Sequence, residues 1–254
     1  MVRLKWHASS WVQSKVISLN KLDLMNAIKN NIPNAITSMN LLCGALAIIA
    51  AFNYVPGGLD LFPYPALCYT LIAMAAVADF LDGFSARLLH ATSNIGAELD
   101  SLSDLVSFGL APAMVLFCLM DINGAENWAY VSLLIPIFGA LRLARFNVDT
   151  NQTTTFTGLP IPANAIFWIG FTAWYAVDPC NEWIVAVAVV VLSYLMVCPL
   201  RMFSLKLHSL SPKENWAQYL LVISTVVLVA ILGLPGLAVL IALYVVLSII
   251  KHDK

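Results

Sequence analysis

The stretch ADFLDGFSARLLHATSNIGAELDSLSDLVSFG, Ala78 to Gly109, sets Asp79, Asp82, Asp100 and Asp104 into a chain that elsewhere avoids charge almost wherever it is apolar. It reads as the end of one apolar helix, a short polar connection and the start of a second. On a helix at about 100° per residue, Asp79 and Asp82 lie about 60° apart and one turn apart in height, with Gly83 and Ala86 on the same stripe. Asp100 and Asp104 form an i, i+4 pair, and Gly96 carries their stripe one turn further. The short connection makes the helices antiparallel neighbours, so the two carboxylate pairs converge from opposite sides. Small residues beside the acids let another backbone or a ligand come close.

The surroundings of this hairpin are those of a lipid-soluble protein. Of 254 residues, 61% are hydrophobic and 11% charged, with a mean hydropathy of +0.85. A soluble domain has an apolar share near half, so the chain is read as an integral membrane protein. A net charge of −1 and the lack of basic runs interleaved with aromatics exclude nucleic acid as a partner. The cysteines Cys43, Cys68, Cys118, Cys180 and Cys198 are scattered, without C-x-x-C spacing, and read as helix packing. The histidines His7, His90, His208 and His252 never fall at ligand spacing, which argues against zinc and against a histidine-based triad.

Working outward, apolar segments at roughly 35–54, 65–87, 98–120, 128–146, 160–177, 183–200, 216–232 and 235–250 are candidate bilayer spans. The expected fold is therefore all-α, a polytopic membrane bundle of about eight transmembrane helices. The positive-inside rule tests this layout. With the N-terminus in the cytoplasm, all 13 Lys and Arg residues fall in cytoplasmic segments, and the opposite loops around 53–65, 121–127, 177–183 and 233–236 hold none. Both termini and the acidic hairpin are then expected on the cytoplasmic side of a multi-pass protein of the cell membrane. Residues 1–34 are expected to form a cytoplasmic leader, with a surface-lying helix and a start at Met25 both open; they do not look like a cleaved signal peptide. The helical membrane domain is placed at 35–206, and 207–254 supplies a C-terminal helix pair.

Four ionised carboxylates repel one another unless cations neutralise them, and all-oxygen ligation suits hard divalent ions such as Mg²⁺, Mn²⁺ or Ca²⁺. Such ions clamp phosphate oxygens, and a pair about 4 Å apart is a common device for phosphoryl and phosphodiester transfer. Arg87, at the cytoplasmic edge, offers a charge-assisted fork for a phosphate. Two other readings compete: acids merely solvated at helix ends, and a cation- or proton-coupled transporter. A transporter places its acids near the bilayer midplane, whereas these cluster toward the cytoplasmic edge.

The spacing Asp79-x-x-Asp82-Gly83-x-x-Ala86-Arg87, eight residues, Gly96-x-x-x-Asp100-x-x-x-Asp104 resembles, at every defined position, the signature of the CDP-alcohol phosphatidyltransferase family. The resemblance implies a helical membrane bundle with a polar cleft open to the cytoplasm. It implies a centre of two divalent ions, Mn²⁺ or Mg²⁺, held by Asp79, Asp82, Asp100 and Asp104, with Asp104 doubling as general base. Gly83, Ala86, Arg87 and Gly96 would then bind the CDP-alcohol, and a homodimer is the assembly it suggests. IPNAITSMNLLCGALA at Ile32–Ala47, RLARFN at Arg142–Asn147, GLPIPAN at Gly158–Asn164 and LMVCPLRMFSLK at Leu195–Lys206 are similar to members that pass the phosphatidyl group of CDP-diacylglycerol to L-serine. The last stretch departs from that pattern at Cys198-Pro199. Glycerol 3-phosphate and inositol phosphate remain alternative acceptors, because enzymes for them share the aspartate signature. Asn34, Thr37 and Asn40, at i, i+3 and i+6, form a polar stripe that can face the nucleotide or serve as a cap and inter-helix bonds. Arg142 and Arg145, one helical turn apart, are candidates for binding a phosphate or the acceptor's carboxylate, against ordinary interfacial anchoring.

Overall fold

A computed structural model describes residues 29–53, 65–148, 156–203 and 215–252. The leader expected at 1–34 lies mostly outside the described residues, as does the start of the C-terminal segment at 207. Each of the eight apolar segments is helical. They are α1 (Lys29–Phe52), α2 (Ala66–Leu89), α3 (Asn94–Ile122) and α4 (Asn127–Val148), then α5 (Ile161–Tyr175), α6 (Glu182–Val197), α7 (Trp216–Leu232) and α8 (Gly236–His252). The first four are long and apolar enough to cross a bilayer. The other four have 15 to 17 residues. At 1.5 Å per residue these rise roughly 22–26 Å, less than the ~30 Å hydrocarbon core. Among the described residues the one strand pairing is a two-residue antiparallel ladder, β1 (Phe156–Thr157) on β2 (Arg201–Met202).

Local chemistry places the breaks. Helix α2 ends where His90 takes a left-handed conformation (φ 49°) and its N–H reaches back to the carbonyls of Ala86 and Arg87. Three residues later Ser93 opens α3, its hydroxyl accepting from the N–H of Gly96 at 3.0 Å. That N-cap satisfies a donor the helix start would otherwise leave bare. Pro160 and Pro162 bracket the start of α5, where a missing N–H costs nothing. Between α7 and α8, Gly233 adopts φ +66° and turns the chain within a few residues. Inside the apolar helices, hydroxyls bond back one turn: Thr37 to Pro33, Thr70 to Ala66, Thr225 to Leu221 and Ser248 to Tyr244. Each keeps a polar group satisfied where no water competes.

Helix α3 is the centre of the bundle. Its most apolar window is 61% buried inside the protein, against 33% for α1 and α2 and 22% for α4. Between Leu105 and Leu110 it winds as a π-helix before resuming α geometry at Ala111. Helix α1 crosses it closely: a Cβ at Gly44 would collide with the Ser107 side chain and backbone, and the Ser107 hydroxyl donates to the Asn40 carbonyl at 2.9 Å. Small residues set the other crossings too, with Gly139 of α4 against Ile161 and Gly170 of α5 against the Ala238 backbone of α8. Outward, large apolar residues such as Met74, Val77, Phe80 and Leu88 of α2 stay exposed, as lipid-facing positions do. The chain is an integral membrane protein.

Candidate active site

The cap at His90 and the N-cap at Ser93 fold the acidic stretch into a tight hairpin, and this brings the two carboxylate pairs together. One oxygen from each of Asp79, Asp82 and Asp100 lies within 4.8 Å of the others. Asp104 adjoins them, with the Asp79 carboxylate in hydrogen-bonding reach of both Asp100 and Asp104. Asp82 is 5% exposed. Its Oδ2 and the Oδ1 of Asp100 are buried without a hydrogen-bond partner among the described residues. Buried carboxylate oxygens left bare are costly unless a cation meets them. An all-oxygen cluster of this size fits a hard divalent metal, which can draw ligands from these acids.

A cleft of about 510 Å³ opens beside the cluster. Asn34 and Thr37 of α1, Asp82, Gly83 and Ala86 of α2, and Gly96 and Asp100 of α3 line it, together with the connection Ala91–Ser93. Seven residues singled out in the sequence thus share one wall-to-wall site. Gly83 leaves its side empty, since a Cβ there meets nothing within 4 Å. Gly96 is filled from the other direction, its missing Cβ taken up by Asn34 Oδ1 and Ser93 Oγ.

Two expected residues sit elsewhere. Asn40, continuing the stripe of Asn34 and Thr37, is fully buried and donates from Nδ2 to Asp104 Oδ1 at 3.2 Å. It belongs to the carboxylates rather than to the cleft wall, because the close α1–α3 crossing at Gly44 and Ser107 sets it one turn too deep. Arg87 is exposed and folds along its own helix, its Nε donating to the Gly83 carbonyl at 3.0 Å, and it is not among the residues lining the cleft.

Arg142 and Arg145 line a second cleft of about 660 Å³ with Phe146, Thr157, Met196 and Cys198. Arg145 Nη1 donates to the Val197 carbonyl at 2.9 Å, which ties α4 to the end of α6. Arg142 lies within electrostatic range of Asp104 and of Tyr244 of α8, and its buried Nε has no hydrogen-bond partner among the described residues. A second α3–α4 link, Asn147 Nδ2 to Ser101 Oγ at 3.0 Å, holds the helix ends that carry both clefts. The Asn40–Asp104 bond and the approach of Tyr244 are not among the expectations from sequence. The signal for the first was present, since Asn40 continues the polar stripe of Asn34 and Thr37 into the apolar helix; Tyr244 is indistinguishable from any interfacial tyrosine.

The match to known proteins agrees with this geometry. Residues 30–195 fit the family model described as CDP-alcohol phosphatidyltransferase. The chain belongs to the CDP-alcohol phosphatidyltransferase family. The matched span contains the four aspartates, the first cleft and both arginines of the second. Among curated proteins the chain is similar to a CDP-diacylglycerol–serine O-phosphatidyltransferase of Helicobacter pylori, 32% identical over 225 residues, covering 86% of this chain and 90% of that one. Proteins with the same description match from Methanocaldococcus jannaschii, 31% identical over 226 residues (88% and 94% covered), and from Bacillus subtilis, 33% identical over 186 residues (73% and 97%).

Proposed function

We propose that this protein transfers the phosphatidyl group of CDP-diacylglycerol to the hydroxyl of L-serine, giving phosphatidylserine and CMP. The observation that carries the reading is the convergence of Asp79, Asp82 and Asp100 beside a cleft whose walls come from the family-matched segment. The relatives' shared description supports serine as the acceptor rather than glycerol 3-phosphate or inositol phosphate.

In this mechanism Asp79, Asp82, Asp100 and Asp104 would hold Mn²⁺ or Mg²⁺, two ions in our reading, which when bound would supply positive charge to neutralise the diphosphate and the departing phosphate. Asn34 and Thr37 receive the nucleotide at one wall, Gly83 and Ala86 admit it closely at the other, and Gly96 lets Asn34 seat against α3 at the cleft's edge. Arg87 swings from its backbone contact to meet a phosphate at the rim. Arg142 and Arg145 orient serine by its carboxylate, a pairing that suits the planar guanidinium fork. Asp104 takes the hydroxyl proton as the new P–O bond forms, with Asn40 fixing its carboxylate through Oδ1. The bond from phosphorus to CMP breaks, and the diacylglycerol stays in the bilayer. Direct transfer through a ternary complex needs no covalent enzyme intermediate. Among the described residues lining the first cleft there is no Cys or His, and Ser93 is engaged as the N-cap of α3. All eight helices cross the membrane, with both termini and the site facing the cytoplasm, and the enzyme works as a homodimer.

The test is CMP release by the purified protein in detergent or vesicles, with CDP-diacylglycerol, Mn²⁺ or Mg²⁺, and serine, glycerol 3-phosphate or inositol phosphate offered separately. Serine alone should support turnover. Release driven by another acceptor would replace serine, and no release with any of them would overturn the transferase reading.

A further inference from the structure

The family model ends at residue 195, yet part of the arginine cleft's support lies beyond it. The Tyr244 hydroxyl of α8 donates to the Phe203 carbonyl at 3.0 Å, and its ring packs edge-on against Phe203 with centroids 4.9 Å apart. Phe203 directly follows β2, whose Arg201 pairs with Thr157 of β1. Thr157 is itself part of the arginine cleft's wall, and the same chain segment supplies Met196, Cys198 and Pro199 to that wall. Lys251, two turns further along α8, reaches over the same Phe203 ring at 5.2 Å and bonds Gln218 of α7 at 3.2 Å. The C-terminal hairpin therefore grips the β2 end of the cleft.

We infer that Tyr244 is a positioning residue for the acceptor: through Phe203 it holds in place the β1–β2 rim of the cleft that Arg142 and Arg145 line. The inference rests on the reading of this cleft as the serine site. A rim held in place before the acceptor arrives lowers the ordering cost of binding. The hairpin thereby gains a task within the reaction and is more than a membrane anchor.

Tyr244→Phe keeps the ring contact and removes only the hydroxyl, so it tests the inference with the fold intact. The KM for serine should rise about threefold to tenfold, the weight of one net hydrogen bond, while kcat at saturating serine and the KM for CDP-diacylglycerol stay within about twofold, too little for one such bond. Arg142→Gln, measured alongside, should raise the serine KM more strongly. Combining Arg142→Gln with Tyr244→Phe should add little to Arg142→Gln alone, because Tyr244 acts only by way of the cleft that Arg142 lines. If Arg142→Gln raises the serine KM and Tyr244→Phe does not, the positioning role is wrong while the cleft assignment stands. If Arg142→Gln leaves the serine KM unchanged, both fall together. A Tyr244→Phe variant in which kcat and both KM values deteriorate in step, or additive effects in the double variant, would make Tyr244 a structural residue only.

Discussion

Asp104→Asn separates a base from a ligand in the proposed mechanism. The substitution keeps the size of the side chain and an oxygen able to accept from Asn40 Nδ2, now 3.2 Å from Asp104 Oδ1. What it removes is the negative charge and the affinity for a proton. Weakening a charge-assisted hydrogen bond to a neutral one costs roughly 1 kcal/mol, about a fivefold effect if all of it reached the transition state. Removing a general base costs about two to four orders of magnitude, or roughly 3–5 kcal/mol of barrier. The gap between these figures is wide enough to decide. CMP release is measured at saturating serine, CDP-diacylglycerol and Mn²⁺, with nucleotide binding followed separately by calorimetry. The expected result is near-normal binding with turnover down at least a hundredfold, on the order of the base's weight. Asp79→Asn and Asp82→Asn should instead weaken metal and nucleotide binding together. An Asp104→Asn enzyme keeping more than roughly a tenth of wild-type turnover, above the range of a missing base, refutes the assignment and requires another proton acceptor.

Three further outcomes are expected. Chelation should abolish CMP release and either Mn²⁺ or Mg²⁺ should restore it; full activity after exhaustive chelation contradicts the carboxylate-held metal. Gly83→Val places its side chain in empty cleft space, so thermal stability should hold while the KM for CDP-diacylglycerol rises at least tenfold, about the penalty for an ill-fitting group in a binding pocket; Gly44→Ala meets Ser107 backbone and should instead lower stability by roughly 1–3 kcal/mol in a denaturation assay. For topology, Gly58→Cys and Asn123→Cys should react with an impermeant thiol reagent from outside the cell and His208→Cys should not; the reverse pattern would invert the layout.

The helices were legible in the sequence because burial in lipid leaves no choice of backbone: an apolar run must satisfy its own hydrogen bonds. The carboxylate cluster was legible for a similar reason, since 3.6-residue periodicity fixes which acids share a face, and a three-residue connection after His90 forces the faces together. What could not be read was depth across helices. Asn34, Thr37 and Asn40 form one stripe in sequence, but where that stripe passes from cleft to carboxylates depends on the height at which Gly44 meets Ser107. Arg87 shows the other limit, because a long exposed side chain takes whichever acceptor is nearest, here its own helix backbone. Tyr244 reaches Phe203, next to the β2 end of the arginine cleft, only through tertiary packing, and no local pattern announces it.

The π-helical segment Leu105–Leu110 begins immediately after Asp104 and ends immediately before the most deeply packed run of α3. An inserted residue of this kind shifts the phase of everything beyond it by about 100°. It decouples the two halves of one helix: the acidic half is set by where the acids must point, and the apolar half by how Val115 and Leu116 fit among their neighbours. Deleting a single residue there would let the helix relax to uniform winding with its apolar half still anchored. The whole acidic face, Asp100 and Asp104 together, would then turn away from Asp79 and Asp82 like a key rotated in its lock. The length of this six-residue stretch thus helps hold the two halves of the centre in register.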